Sequence, residues 1–398
     1  MKTSVIVLSY RPGDWLEACL ASVAGRCDEL LVVDNGSPGA AASAVGERFG
    51  ARVVRAEANR GFAPGVDLAA RLATGDVIAL LNDDAVAPKG WLNAACAALA
   101  DKEVAAVGPK LVLAEPYREV VLADEPWSAP GDHRKLGRQL RSVTVDGNEV
   151  LDRLEGPGAH RAEMGPDGER WRWTTGSEPF YVPLGNAGTA AEVLVNGEPA
   201  PPGPAVRLVN SAGVYLDRRG YAGDIGIGAP DDDRFGHGGE RFAISGAAFV
   251  TTAGTWHRVG PLAEPFFAYY EDVDWCWRAQ LLGMKVLYDP SVSVEHRRSA
   301  SSGGEHREEV RVMAERNRTL TMVRNGPAPV VAGALRDRWR QGPDGGVREG
   351  VGRLLPWAMA TRLSAARRWQ RSPRQVWERW AGRDDTWAQG LAGPAAQF

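Results

Sequence analysis

Apolar positions in the first 112 residues follow two alternating periods. "SVIVLSY" (4–10), "ELLVVDNGS" (29–37), "ARVVRA" (51–56) and "DVIALLNDDAV" (76–86) are short β-branched or aliphatic runs, and the last exits into acids. Near-continuous apolar runs of this length are typical of strands buried on both faces. Between them "DWLEACLASV" (14–23), "AAASAVGERFG" (40–50) and "GVDLAARLA" (65–73) carry helical spacing. This alternation predicts βαβ units and a parallel sheet covered on both faces. Ligands of such sheets bind beyond the carboxyl ends of the strands. The polar residues at the strand exits are therefore candidates: Ser9 and Tyr10, Asp34 and Asn35, and Asn82, Asp83 and Asp84.

The pattern changes over residues 114–206. "SVTVDGNEV" and "AEVLVNGEPA" place Asp-Gly and Asn-Gly between β-type residues, a hairpin signal. "RWRWTTG" and "FYVPL" add aromatic strands, and helical periodicity is absent. A β-rich insertion is expected here, serving as decoration, as an oligomer contact or, through Trp171 and Trp173, as a sugar-binding surface. The α/β pattern returns with "GAAFVTT" (246–252) and "DVDWCWRAQLLGMKVLYDP" (272–290), which predicts a helix ending at Gly283 and a strand ending at Pro290. The remainder reads as helices. The expected division is 1–113, 114–206, 207–300 and 301–398.

Composition narrows the partners. The chain has 398 residues, 44% hydrophobic and 24% charged, which suits a large globular core. A net charge of −3 gives no reason to expect nucleic acid. Residues 331–398 differ, with twelve Arg, no Lys and six acids, a local charge of +6 against −9 for the rest. Six of the fourteen Trp also fall there. A basic, Trp-bearing helical segment can lie on an anionic membrane surface or pack as a lid on the core. Cys19, Cys27, Cys96 and Cys276 show no metal or disulfide spacing, as expected of reduced thiols in a cytoplasmic protein. No apolar run is long enough for a membrane-spanning helix, and the N-terminal run is too short for a secretion signal.

Three segments carry candidate chemistry. In "LLNDDAVAP" (80–88) an apolar strand runs into adjacent acids. Such a pair is either a solvated turn or a site compensated by Mg²⁺ or Mn²⁺, hard cations that take oxygen ligands from acids and phosphate. "NRGFAPG" (59–65) offers Asn59, Arg60 and two glycines before a helix, suited to close approach by a phosphate. "YYEDVDWCWR" (269–278) sets Glu271, Asp272 and Asp274 among aromatics at a helix start. Asp274 lies four residues before Arg278, the spacing of an intrahelical ion pair. The helix dipole favours the charged form of Asp272, whereas desolvation by the aromatics opposes it.

In order and spacing, these segments resemble the family 2 inverting glycosyltransferases of GT-A fold. "NSAGVYLDRRGYAGDIG" (210–226), "ISGAAFV" and "ERNRTLTMVRN" extend the match, which covers roughly residues 1–112 and 208–326. The subgroup resembles bacterial rhamnosyl- and galactofuranosyltransferases that build surface polysaccharides. The resemblance implies an α/β GT-A fold with a mostly parallel sheet, interrupted by the β-rich insertion and followed by the helical C-terminal region. It further implies a nucleotide-diphospho-sugar donor, a glycan, glycolipid or small-molecule acceptor, and a divalent cation. By the same resemblance Ser9, Tyr10 and Asp34 contact the nucleoside, and Asn59 and Arg60 lie near the diphosphate. Asn82, Asp83 and Asp84 occupy the D-x-D position, with Asp83, Asp84 and His296 as metal ligands. Asp272 is the base and Glu271 its helper. Asn82 departs from the acid usual at the first D-x-D position, and Asp67 stands where the family often has Asn. A cytoplasmic location is expected, with peripheral contact at the inner face of the cell membrane through the basic C-terminal region.

Two other classes are weighed. A sugar-nucleotidyltransferase calls for a Gly-rich basic loop after the first strand, where this chain has "SYRPGDW". A non-catalytic carbohydrate-binding protein needs neither a base nor a metal site.

Overall fold

The computed structural model describes residues 1–297, 307–340 and 345–383. Ten strands form the main sheet: β1 (Thr3–Ser9), β2 (Glu29–Asp34), β3 (Arg52–Arg55), β4 (Val77–Asn82), β5 (Ala85–Val86), β6 (Val104–Leu113), β7 (Val209–Ser211), β8 (Gly239–Glu240), β9 (Ala248–Thr252) and β10 (Lys285–His296). Their order is β8-β10-β6-β9-β4-β1-β2-β3, with β7 paired to β6 and β5 paired to β10. The half β4-β1-β2-β3 is wholly parallel. β9 runs antiparallel to β4 and β6, and the sheet as a whole is mixed.

Alternate residues of the central strands supply two cores. Val5, Val7, Val32, Ala79 and Leu81 face the helices Trp15–Val23 and Trp91–Ala98 on one side. Ile6, Leu31, Val33, Ile78 and Leu80 face the helices Phe62–Ala70 and Glu271–Leu281 on the other. Period-two side chains with both faces covered explain why these strands read as unbroken apolar runs. The second core is aromatic: Trp275 packs edge-on against Phe249 at 5.1 Å and stacks on Trp256 at 5.8 Å.

β10 does not end at Pro290. It continues to His296 through a register shift between Asp289 and Ser293. Proline has no N–H to give a ladder, so an irregular stretch is where a strand tolerates it. The helix expected at 65–73 begins earlier, at Phe62.

Residues 117–206 fold into small antiparallel sheets around a core of their own, including Leu140, Val143, Val145, Phe180, Val182 and Val195. Both expected hairpins form, with φ of 47° and 79° at Asp146-Gly147 and of 50° and 85° at Asn196-Gly197. Two consecutive positive φ angles are what a tight two-residue hairpin turn demands.

The C-terminal helices Arg307–Asn325, Ala328–Arg340, Val347–Ala366 and Pro373–Trp380 pack onto the α/β body. Trp380 is buried and donates its indole N–H to Gln280 Oε1 at 2.5 Å, and Trp377 stacks on Trp277 at 6.2 Å. These two tryptophans therefore take the lid role, whereas Trp339 remains 49% exposed. Of the helical reading of the tail, residues 301–306, 341–344 and 384–398, with Trp387, lie outside the described residues. Among the described residues no helix is long and apolar enough to cross a membrane.

Candidate active site at the strand exits

The carboxyl ends of β1, β2 and β4 bring their polar residues together. At the end of β1 the Ser9 hydroxyl donates to Asp83 Oδ2 at 2.6 Å. Burial pushes the Asp83 carboxyl up to about 6, partly offset by this hydrogen bond and reinforced by neighbouring Asp84. Tyr10 is half-buried, with the Arg11 guanidinium 5.2 Å from its ring centre.

Asp84 points the other way. β5 pairs antiparallel with the end of β10, setting Ala85 opposite His296. Asp84 Oδ1 lies 3.1 Å from His296 Nε2, and Asn82 Nδ2 lies 3.4 Å from the same nitrogen. His296 Nδ1 is 2.6 Å from Asn210 Oδ1, so the ring donates from Nδ1 and presents Nε2 to Asp84. Among the described residues no group of three or more His, Cys, Asp or Glu is gathered for a metal. The Asp83 carboxylate is turned to Ser9, and Asp84 with His296 is the pair that converges. Neighbouring corners of an octahedron around an ion at ~2.1 Å lie about 3.0 Å apart, which the 3.1 Å separation of this pair fits.

The Asp34 side chain is fully buried. Oδ1 accepts from Ser37 N (2.8 Å) and Ser37 Oγ (2.6 Å), and Oδ2 from Ser43 N (3.1 Å), Ser43 Oγ (2.5 Å) and Arg55 Nη1 (3.3 Å). With both oxygens engaged inside the chain, Asp34 shapes the turn after β2. Asn35 has a comparable role. It donates from Nδ2 to Asn59 Oδ1 (2.9 Å) and Gly61 O (3.1 Å) and accepts from Arg60 N at 3.1 Å. This ties the loop carrying Asn59 and the exposed Arg60 to the end of β2. Gly36 is required there, since a Cβ would lie 2.5 Å from the Ala58 carbonyl carbon.

The three carboxylates of helix Glu271–Leu281 meet different fates. Asp274 is fully buried and accepts from Arg278 Nε (2.9 Å), Arg324 Nη1 (2.9 Å) and Asn325 Nδ2 (2.8 Å). The expected pair with Arg278 is present, and the two further partners come from helix Arg307–Asn325. Glu271 is buried with Oε2 lacking a partner, and burial beside Asp272 holds its carboxyl well above the usual range. Asp272 is partly exposed and accepts from Gly246 N and Val273 N, both at 2.7 Å. Desolvation raises its pKa, and these backbone donors oppose the rise. Asn82 N donates to Ala247 O at 2.9 Å, so the strand-exit acids and the loop gripping Asp272 share one backbone link.

Sequence reasoning missed how this helix start is aimed. Phe267, Tyr269 and Tyr270 all have φ near +68° to +69°. Left-handed backbone at non-glycine residues costs roughly 1–2 kcal/mol each and persists only when surrounding contacts enforce it. The enforcing groups come from the tail. Asn317 is fully buried, and its Nδ2 lies 3.0, 2.8 and 2.8 Å from the carbonyls of Phe266, Ala268 and Tyr269. Arg316 Nη2 donates to Phe266 O at 2.9 Å. From the other side Phe267 O accepts from Ala63 N at 3.2 Å, and Gly61 packs so closely that a Cβ would lie 2.5 Å from that oxygen. The strained segment thus links the Asn59–Gly61 loop to Asp272. The only foreshadowing in the sequence is "ERNR", a polar cluster within a helix.

Asp67 is buried beside this segment. Its Oδ1 accepts from Leu262 N at 3.1 Å, its Oδ2 has no partner, and burial pushes its carboxyl up to about 7. His237 sits exposed in the loop before β8, away from any described cluster.

Comparison with known proteins bears on this site. Residues 4–142 match the family described as "Glycosyl transferase family 2". The match ends before the Glu271–Asp272 helix. No curated protein matches the sequence. Among solved structures, GalNAc-T7 with UDP, GalNAc and Mn²⁺ aligns over 95% of this chain and 56% of its own, at 13% identity and a TM-score of 0.54. This chain therefore spans little more than half of that protein's length. The mannosyltransferase PcManGT from Pyrobaculum calidifontis, in complex with GDP-Man and Mn²⁺, aligns over 92% of this chain and 73% of its own, at 14% identity and a TM-score of 0.41. Glucosyl-3-phosphoglycerate synthase from Mycobacterium tuberculosis, with Mn²⁺, UDP and glucosyl-3-phosphoglycerate, aligns over 28% and 44%, at 18% identity and a TM-score of 0.25. The first likeness and the strand order agree on a GT-A-like α/β fold.

Proposed function

We propose that this chain is an inverting, metal-dependent glycosyltransferase moving a sugar from a nucleotide-diphospho-sugar to an acceptor hydroxyl. A dTDP-rhamnose or UDP-sugar donor and a role in surface polysaccharide or glycolipid synthesis are the first specific forms to test. The observation that carries the reading is the placement of Asp272. It is a partly exposed carboxylate with a raised pKa, linked through Gly246 and Ala247 to the Asn82–Asp84 exit.

In this reading Asp272 takes the proton of the acceptor hydroxyl as its oxygen attacks the anomeric carbon. The bond from that carbon to the diphosphate oxygen breaks on the opposite face, its electron pair leaves with the nucleotide, and the centre inverts. Glu271, kept protonated by burial beside Asp272, leaves one negative charge at the base position and can donate to the acceptor. Asp84 and His296 would hold a Mg²⁺ or Mn²⁺ ion, with Asn82 a neutral neighbour; when bound, the ion offsets diphosphate charge. Ser9 and Tyr10 border the nucleoside, Asp83 fixes Ser9, and Asn59 and Arg60 lie on the diphosphate side. Residues 1–113 then form the donor half and 207–300 the acceptor half. The C-terminal region, with exposed Trp339, Met359 and Leu363 among its arginines, supplies peripheral membrane contact at the cytoplasmic face.

A thermal-shift series with UDP, GDP and dTDP and their sugars, with and without Mn²⁺, tests the donor class. At least one nucleotide should raise Tm, and more so with Mn²⁺. If none does so in either condition, the reading fails.

A further inference from the structure

The β-rich insertion places its tryptophans outside its own core. That core is aliphatic apart from Phe180, and none of the three tryptophans, Trp127, Trp171 and Trp173, belongs to it. Elsewhere Trp91, Trp256, Trp275, Trp277 and Trp380 are buried, Trp15, Trp357, Trp369 and Trp377 are half-buried, and Trp339 is exposed. The strand Arg170–Trp173 is inverted relative to ordinary patterning. Arg172 points inward and is 8% exposed, donating to the carbonyls of His160, Leu151, Leu154 and Ala159 at 2.5–3.2 Å. Its cross-strand partner Leu140 is fully buried on the same side. Trp171 and Trp173 therefore occupy the opposite, outward face, because strand side chains alternate.

That face is built. Trp127 is 48% exposed and meets Trp173 edge-on, with ring centres 5.9 Å apart. Its backbone is held by reciprocal bonds with buried Leu136, both 2.8 Å, and Gly137 N then donates to Thr174 O at 2.7 Å beside the tryptophan strand. Cross-strand register places Glu163 opposite Trp171 and Gln139 opposite Trp173. Arg134 bridges Glu163 (2.7 Å) and Asp132 (2.7 Å), so its own charge is compensated within the chain. The Trp171 Nε1 atom is buried without a partner, and its ring is half-buried.

We infer that the outward face formed by Trp127, Trp171 and Trp173, fringed by Glu163, Gln139 and Arg134, is a binding site for a neutral glycan chain. Sugar rings carry an apolar C–H face and a rim of hydroxyls. The exposed Trp127 indole and the half-buried Trp171 and Trp173 rings match the first, and planar carboxylate, amide and guanidinium groups match the second. A nucleic acid or an anionic lipid surface calls for free cations, and Arg134 is instead committed to two carboxylates. The choice of a glycan rests on the proposed function, since an enzyme that extends glycans gains effective concentration by holding the chain at a second point.

The test is affinity electrophoresis of the full chain through gels containing dextran, mannan, xylan or arabinogalactan, alongside co-sedimentation with phosphatidylglycerol vesicles. The expected result is retardation by at least one polysaccharide. Trp127→Ala and Trp173→Ala should each weaken it about tenfold, a change of ~1.4 kcal/mol, while Trp127→Tyr retains most of it. Trp339→Ala, at an equally exposed tryptophan of the tail, should leave it unchanged. Asp272→Asn should be retarded like the wild type, which separates this site from catalysis. The inference is overturned if no polysaccharide retards the wild type, or if both alanine variants migrate as it does. Vesicle binding that disappears with Trp127→Ala would also overturn it, making the face a lipid contact.

Discussion

Two acidic clusters differ in where their compensation comes from. In helix Glu271–Leu281, Asp274 receives Arg278, Arg324 and Asn325, while among the described residues Glu271 and Asp272 receive no cation in hydrogen-bond contact and carry raised pKa values. At the exit of β4, Asp83 is neutralised in part by a hydroxyl and Asp84 faces His296. A carboxylate fully answered within the chain is structural. One left to be answered by a proton or an external cation retains chemistry. Both clusters contain adjacent carboxylates; the partners that tertiary packing delivers to each acid differ.

The sharpest way to break this comparison is to treat Asp272 and Asp274 identically. Asp272→Asn should lower kcat by about 10²–10⁴ with nucleotide affinity and Tm nearly unchanged, as measured in a sugar-transfer assay. An active Asp272→Asn enzyme ends its assignment as base. Asp274→Asn should act through the fold, since Arg278 and Arg324 lose their shared buried anion. A loss of about 3–5 kcal/mol is expected in denaturant unfolding. Wild-type stability of that variant would mean the arginines are satisfied elsewhere.

Asp84→Asn and His296→Ala should each reduce the Mn²⁺-dependent part of nucleotide affinity by at least about tenfold, read by calorimetry, with little effect when the metal is omitted. An equal loss with and without Mn²⁺ would place these side chains outside a metal site. Asn317→Ala should release the left-handed segment. Amide exchange over residues 266–272 should quicken about tenfold while 143–145 stay protected, and kcat should fall more than the donor KM rises.

The smallest effect concerns Asp67. Its carboxyl is raised in the fold to about 7, so between the unfolded value near 4 and 7 the native state holds the extra proton. Its contribution is most favourable below the unfolded value and is lost as pH rises through 7. Asp67→Asn should therefore stabilise more at pH 8 than at pH 5, by roughly 2–3 kcal/mol, measured by urea unfolding at both. For transfer the sign is opposite. Asp272 acts ionised, so the rate should rise as pH climbs through its raised pKa.

Much of the fold was legible from local pattern. The apolar runs of β1, β2 and β4, the hairpins at Asp146-Gly147 and Asn196-Gly197, and the Asp274–Arg278 pair all rest on neighbours a few residues apart. Distant partners decided what local pattern could not. Asp34 ends a strand, and Ser43 and Arg55 reach its Oδ2. Asp83 receives the hydroxyl of Ser9, 74 residues away. β10 was expected to stop at Pro290, yet a shift in its register against β6 carries it on to His296.

The sequence by itself determined the periodicities, the order of strand exits and the chemical types at those exits, because each depends on side-chain identity and short-range spacing. Tertiary structure alone decided which acid is paired within the chain and which is left with a raised pKa. That outcome depends on burial and on partners brought from as far as 212 residues away (296 − 84), as with Asp84 and His296. It also decided that Asn317, a polar residue within a helix, should hold the strained turn that aims Asp272.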